Sequence, residues 1–170
     1  MANEEHVTIL NDEEQLVVFE LSNEFYGVDI AAVSTIIRMQ EITEIPRAPE
    51  FVEGVINLRG SIIPVIDLKK RFGLPQGEQT KASRIVVVEA TGQMIGMVVD
   101  AVTETLRLPH DAIEPPSPIV ATIDSEYVRG VGKLENRLVI LLDLDRVLTT
   151  RDMDTLQSMH KAAENSDKAA

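Results

Sequence analysis

The chain has 170 residues, no cysteine and a formal net charge of −12. This negative charge argues against nucleic acid as a partner, because phosphate binding needs a cluster of basic side chains. The lack of cysteine excludes disulfides and thiolate metal ligands and is compatible with a reducing compartment. No apolar stretch has the length of a signal peptide or of a membrane span, so we predict a cytoplasmic protein without direct membrane insertion.

The composition favours strands. Aromatic residues make up only 4 % of the chain and there is no tryptophan, so the core has to be built from Val, Ile and Leu. Many of these are β-branched, and β-branched side chains fit the pleated surface of a sheet better than a helix.

In chain order, a polar and acidic segment at 1–14 predicts a disordered tail. The apolar runs Leu16–Leu21 and Phe25–Ile30 flank a short polar turn, which indicates a β-hairpin. A second hairpin is predicted from Gly54 to Ile66 around the turn Arg59-Gly60, and Asp67 then caps a short helical turn.

The chain repeats this order of parts. The segment from Gly54 to Leu68 aligns without a gap on the segment from Gly130 to Leu144, at an offset of 130 − 54 = 76 residues. The preceding block aligns Gly27 with Gly96, at an offset of 96 − 27 = 69 residues. Repeats of this kind indicate two copies of one supersecondary unit.

Each unit supplies four or five short strands, and so small a sheet is best protected when it closes on itself. We therefore predict an all-β fold of two small five-stranded barrels related by a pseudo-twofold axis, with an apolar interface between them. The predicted units are 15–80 and 81–148, which form one domain over 15–148, and the helical spacing of apolar residues predicts a C-terminal helix over 149–165.

No catalytic or metal-binding motif stands out. The three histidines share no ligand spacing. Asp143-Leu144-Asp145 could be a carboxylate pair, but its aligned partner Asp67-Leu68-Lys69 keeps only the first acid, which favours a helix cap. We predict no enzymatic activity, no cofactor and no metal.

Two segments carry a family resemblance: 51–68, which contains Asn57-Leu58-Arg59-Gly60 and Pro64-Val65-Ile66-Asp67, and 96–102. Together they resemble the CheW family over nearly the whole chain. The resemblance implies two SH3-like β-barrels and a chemotaxis adaptor, a scaffold in two-component signal transduction. Its partners would be the regulatory domain of the histidine kinase CheA and the cytoplasmic tip of methyl-accepting chemoreceptors. The protein alone would be monomeric and would be recruited to membrane-associated receptor arrays.

The resemblance also implies where the partners bind. A receptor-binding groove would lie between the barrels, where an apolar surface takes the non-polar face of a helix. Its residues would be Val28, Val33, Thr35, Ile36, Gly54, Val99 and Val102, although any one of these valines could instead belong to the core. The kinase-binding residues would be Gly130, Val131, Leu134 and Leu138.

The turn Asn57, Arg59 and Gly60 is assigned a structural or coupling role. Arg59 could contact a partner, or it could brace the fold through a carboxylate.

Two alternative functions remain at this stage. Related coupling proteins could serve a non-flagellar receptor–kinase pathway, and the interface between two barrels could hold a small molecule.

Overall fold

The computed structural model describes residues 13–116, 123–149 and 151–158. Strands dominate this part of the chain. The first five are β1 (Glu13–Leu21), β2 (Glu24–Asp29), β3 (Val33–Arg38), β4 (Val52–Leu58) and β5 (Ser61–Asp67). The others are β6 (Arg84–Ala90), β7 (Gln93–Val99), β8 (Ala101–Pro109), β9 (Ile113–Glu114), β10 (Val128–Lys133) and β11 (Leu138–Leu142).

Three short helices accompany the strands. They are α1 (Leu68–Phe72), α2 (Leu144–Val147) and α3 at 151–158. Asp67 caps α1 by accepting hydrogen bonds from the backbone of Lys69 and Lys70, and Asp143 caps α2 from the aligned position. The predicted helical turns are therefore present with their aspartate caps. The predicted extension of the C-terminal helix to 165 lies outside the described residues.

The strands form two sheets of the same internal order. One sheet runs β8-β1-β2-β11-β10-β9 and the other runs β3-β6-β7-β5-β4. Under the repeat offsets, β8, β1, β2, β11 and β10 correspond in turn to β3, β6, β7, β5 and β4. The all-β prediction with pseudo-twofold symmetry is confirmed, and the two-residue strand β9 gives the first sheet a sixth member.

Each sheet takes strands from both halves of the sequence. The hairpin β1–β2 joins a sheet whose other strands, β8 to β11, come from the second half of the chain. The hairpin β6–β7 joins a sheet whose other strands, β3 to β5, come from the first half. This exchange depends on two equivalent parallel pairings, of β2 with β11 and of β7 with β5. Gly27 pairs with Leu141 in the first and Gly96 with Val65 in the second. The contiguous units 15–80 and 81–148 therefore do not correspond to the two sheets.

Strands near the two ends of each sheet approach each other, which shows that each sheet curls into a barrel. A Cβ atom at Gly132 in β10 would overlap the side chain of Leu108 in β8, at the other side of the same sheet. In the second sheet, Ile37 of β3 packs on the same cluster as Ile56 of β4.

The largest part of the core lies between the barrels. Along β1, Val17, Phe19 and Leu21 face this shared cluster, while Leu16 and Val18 face the interior of their own barrel. The equivalent strand β6 repeats the alternation, with Val86 and Val88 in the shared cluster. Because both faces of these strands are buried, the predicted apolar interface is present.

The N-terminal boundary differs from the prediction. Glu13 and Glu14, assigned to a disordered tail, begin β1 and pair with Pro109 and Leu108 of β8. Residues 1–12 lie outside the described part of the chain. The acidic composition of 12–14 hid the strand start, because backbone pairing at a sheet edge does not require apolar side chains.

Candidate functional site

The chain crosses from one barrel to the other at two equivalent places. The first crossover follows β2, where Asp29 accepts a hydrogen bond from the backbone of Ala31 at 2.9 Å and caps a 3-10 turn. The second follows β7 at Asp100, whose backbone N–H donates to the backbone carbonyl oxygen of Glu20 at 3.0 Å. These crossovers lead into the edge strands β3 and β8, so the surface between the barrels is bounded by strands with one free side.

The structure divides the predicted groove residues by accessibility. Val28 and Val99 are fully buried in the shared cluster. Val33 and Val102, which are partners in the repeat, are partly buried and pack against that cluster from outside. Val33 and Val102 can therefore contact a partner, whereas Val28 and Val99 support them from beneath.

Thr35 and Ile36 continue the accessible surface along β3. The side chain of Thr35 is partly buried, and Ile36 is one of three large apolar residues that are exposed among those described, at 39 %. A β-bulge at Ser34 and an equivalent bulge at Thr103 shift the register of both edge strands beside the crossovers. Bulges of this kind re-aim the side chains that follow them.

Gly54 has a structural reason to be glycine. It follows a bulge in β4, has φ +145, and a Cβ atom there would overlap the carbonyl oxygen of Thr43. Gly130 follows the equivalent bulge in β10 and approaches the carbonyl oxygen of Glu114 in the same way. Both positions need glycine because another backbone passes too close for a side chain.

The four predicted kinase-binding residues also divide into two groups. Gly130 is buried and Val131 is 3 % exposed within the shared cluster. Leu134 is partly buried at the tip of the β10–β11 hairpin, and Leu138 is 43 % exposed. Only Leu134 and Leu138 offer apolar side-chain area to a partner.

The turn between β4 and β5 is held by its own backbone. Asn57 accepts a hydrogen bond from the backbone N–H of Gly60 at 2.9 Å, and Arg59 adopts φ +53 with an exposed side chain. No salt bridge in the described ranges involves Arg59, so no carboxylate there acts as the partner that a bracing role requires. Arg59 and Thr35 line one cavity of 720 Å³.

A charged network lies beneath the second crossover. Lys69 is 7 % exposed, and its Nζ lies 2.7 Å from Oδ1 of Asp100. The other carboxylate oxygen of Asp100 accepts a hydrogen bond from the backbone N–H of Ser22 at 2.8 Å. Asp100 therefore ties α1, the β1–β2 turn and the crossover together.

Asp67 and Lys70 have shifted pKa values at the start of α1. Burial raises the pKa of Asp67, although the hydrogen bond from the backbone of Lys70 acts in the opposite direction. The hydrogen bond to Glu53, at 2.8 Å, raises the pKa of Lys70. The side chains of Lys70 and Glu53 are 34 % and 26 % exposed, so solvent screens the pair and it contributes little to stability.

Sequence reasoning missed Lys69, Asp100 and Arg71. Arg71 lies in α1, and its side chain contacts elements from both repeats and α3. These three residues are charged but lie in segments that are otherwise apolar and that align in the repeat. This position could have indicated them, because a charge in an apolar segment needs a partner.

The described residues hold no group of three or more His, Cys, Asp or Glu side chains that could bind a metal ion. Within the same ranges, every helix is too short or too polar to span a membrane.

Comparison with known proteins finds relatives of this chain. Residues 15–152 match the model of the CheW-like domain. A "Chemotaxis protein CheW" from Klebsiella aerogenes is 36 % identical over 150 residues, covering 88 % of this chain and 90 % of that protein. Another from Treponema pallidum is 31 % identical over 155 residues, covering 88 % of this chain and 91 % of that protein.

A solved structure gives the same result. The crystal structure of the scaffolding protein TtCheW from Thermoanaerobacter tengcongensis superimposes with a TM-score of 0.76 at 46 % identity. The superposition covers 82 % of this chain and 90 % of that protein.

Proposed function

Because the chain belongs to the family of CheW-like domains, we propose that it couples chemoreceptor tips to the histidine kinase CheA as a chemotaxis scaffold. The observation that carries this proposal is the presence of two separate accessible apolar surfaces on one double barrel. One surface lies at Val33, Ile36 and Val102, and the other at Leu134 and Leu138. A scaffold needs two such surfaces because it has to hold both partners at once.

The first surface suits a helical receptor tip. Val33 and Val102 present partly buried apolar area on either side of the pseudo-twofold axis, and Ile36 extends it along β3. An amphipathic helix laid across them would bury its apolar face. The side chains beneath, Val28 and Val99, are fixed in the core, so the surface is formed before the partner arrives.

The second surface suits the regulatory domain of CheA. Leu138 stands at the start of β11, and Leu134 lies at the tip of the same hairpin. The hairpin also lies close to β8, since Arg137 contacts Glu104, but the two surfaces share no side chain. Each partner can therefore contact side chains that the other does not use.

The proposed role involves no chemistry by this chain. The CheW-like family is a family of scaffolds, and the chain would change kinase activity by favouring one conformation of the assembled complex. We place it in the cytoplasm, at receptor arrays on the membrane.

The test uses Ile36→Lys and Leu138→Lys, each a control for the other. Both side chains are exposed, so both variants should fold. On size-exclusion chromatography with each partner from the same organism, we expect Ile36→Lys to lose the receptor fragment and keep the regulatory domain. Leu138→Lys should show the reverse. A wild-type protein that binds neither partner at tens of micromolar would contradict the proposed function.

A further inference from the structure

The barrel formed by the sheet β3-β6-β7-β5-β4, called the first barrel from here on, has an open cavity at one end. The second barrel is the one formed by the sheet β8-β1-β2-β11-β10-β9. The cavity has a volume of 720 Å³ and is bounded by β3, the β4–β5 turn, the β6–β7 turn and Gln157 of α3. The pseudo-twofold axis relates it to the tip of the β10–β11 hairpin. A depression of 320 Å³, lined by residues 134–137, lies there.

An ion pair fills the equivalent space in the second barrel. Arg137 contacts the carboxylate of Glu104, and its guanidinium lies 4.6 Å from the centre of the Phe25 ring. The repeat offsets place Ser61 where Arg137 stands (137 − 61 = 76) and Thr35 where Glu104 stands (104 − 35 = 69). The cavity is open because two short side chains replace this pair.

The charge at the rim is reversed between the barrels. Arg59 lines the open cavity, and its equivalent in the second barrel is Glu135, since 135 − 59 = 76. Arg59 takes part in none of the salt bridges found between described residues. In a chain of net charge −12, this unpaired guanidinium makes the mouth of the cavity locally attractive to an anion.

The wall of the cavity carries a second unused polar group. The side-chain oxygen Oε1 of Gln93 is buried and accepts no hydrogen bond from any residue that the structure describes. A buried acceptor without a donor costs free energy, which a ligand that supplies an N–H or O–H group would recover. Leu58, Ile62 and Met94 give the cavity an apolar wall, and short polar side chains such as Ser61 also line it.

We infer that this cavity receives an acidic side chain from a helix, with an aliphatic stem against Met94 and its carboxylate on Arg59. The inference rests on the proposed function, because Thr35 belongs both to the cavity and to the surface assigned to the receptor tip. The helix that covers Val33 would place a glutamate one turn away into the cavity, with its carboxylate accepting from Arg59. A carboxylate has no donor for the Gln93 oxygen, so a neighbouring side chain of the same helix would supply that N–H or O–H group. The cavity thus fixes the register of the helix, which apolar contacts alone leave variable.

The test fills the cavity with the same two side chains that fill the equivalent space in the second barrel. Thr35→Glu combined with Ser61→Arg rebuilds in the first barrel the ion pair that the second barrel already holds, at no change in net charge. We expect this variant to bind the receptor-tip fragment at least about tenfold more weakly than wild type, because the charged hydrogen bond to Arg59 is lost. Its affinity for the CheA regulatory domain should be unchanged.

A matched control opens the second barrel. Glu104→Thr with Arg137→Ser makes the reciprocal change and should leave the affinity for the receptor fragment within about twofold of wild type. Arg59→Gln provides a second variant at an exposed turn, where folding is not at risk. Its affinity for the receptor fragment should fall by a similar factor, and the difference from wild type should become smaller at high salt.

The outcomes separate the two proposals. If wild type binds the receptor fragment and both the filled-cavity variant and Arg59→Gln bind it equally well, the cavity inference is overturned while the scaffold function stands. If wild type binds neither partner, the scaffold function fails and the inference fails with it.

Discussion

Arg71 donates a hydrogen bond from its Nε–H to the carbonyl oxygen of Val147 at 2.7 Å, and the two residues are equivalents in the repeat, 147 − 71 = 76. Its guanidinium also lies 5.0 Å from the ring centre of Phe51 and 5.4 Å from that of Tyr127, a second equivalent pair. The pseudo-twofold axis therefore passes beside Arg71. Only one of the two repeats carries the arginine, which closes the junction of α1 and α2.

Replacing Arg71 should loosen the junction between the barrels. Arg71 also lies 3.2 Å from Asp152 of α3, and both side chains are mostly buried, at 16 % and 17 % exposure. Arg71→Met leaves Asp152 and the Val147 carbonyl without this partner, so we expect the free energy of unfolding in urea to fall by about 2–4 kcal/mol.

The control for Arg71 is Arg146→Met. Arg146 contacts Asp143 at 3.5 Å, but its side chain is 69 % exposed. The expected loss is under about 0.5 kcal/mol. Equal losses in the two variants would show that Arg71 contributes as an ordinary surface residue.

The Lys69–Asp100 pair should respond unequally to removal of its two members. The Lys69 side chain is 9 % exposed and that of Asp100 is 33 % exposed. Asp100→Ala leaves a buried ammonium without its carboxylate, so we expect a loss of about 3 kcal/mol in thermal or urea unfolding. Lys69→Met leaves a carboxylate that water and the Ser22 backbone still solvate, and it should cost about half as much or less. The reverse order of losses would contradict this account of the crossover.

Gly54 should be far less replaceable than Gly60. Both have positive φ, +145 and +88, but nothing lies within 4 Å of a Cβ atom at Gly60. Gly60→Ala should therefore cost about 1–2 kcal/mol from the backbone conformation alone. Gly54→Ala adds an overlap with the Thr43 carbonyl and should unfold the protein or cost more than about 4 kcal/mol. A folded Gly54→Ala protein that fails only in receptor binding would assign Gly54 to the binding surface instead.

Sequence patterns predicted the local structure well. The hairpins around Ser22-Asn23 and Arg59-Gly60, and the caps at Asp67 and Asp143, depend on side chains and turns within a few residues of each other. The repeat offset aligned Gly54 with Gly130, and the structure shows an equivalent bulge beside each of them. The family and the all-β fold followed from the same residues.

The exchange of hairpins was beyond the reach of these patterns. A strand such as β1, buried on both faces, reads as a continuous apolar run and does not reveal which sheet it joins. For the same reason Val28 and Val33 could not be distinguished, although one is core and the other accessible. The contacts of Arg71 and Asp100 link positions that are distant in sequence, so the spacing of nearby residues does not predict them.

The raised pKa of Asp67 gives stability a defined pH dependence. Burial raises its pKa above the ordinary value of 3.8, and the nearby charge of Glu53 adds to the effect. Between 3.8 and the raised value, the folded protein keeps a proton that the unfolded chain has lost. This group therefore makes the free energy of unfolding fall as pH rises through that interval, and its effect is constant above it.

Asp67→Asn tests this dependence because asparagine keeps the cap on α1 and does not titrate. Urea unfolding should show the variant gaining stability relative to wild type as pH rises from 3.8, with a constant difference once Asp67 is ionised in the folded state. Asp67→Ala, which also removes the titration, should lose about 1 kcal/mol relative to Asp67→Asn at every pH, because it lacks the cap. If Asp67→Asn instead loses stability relative to wild type as pH rises, the hydrogen bonds from Lys69 and Lys70 outweigh burial and the pKa of Asp67 is lowered.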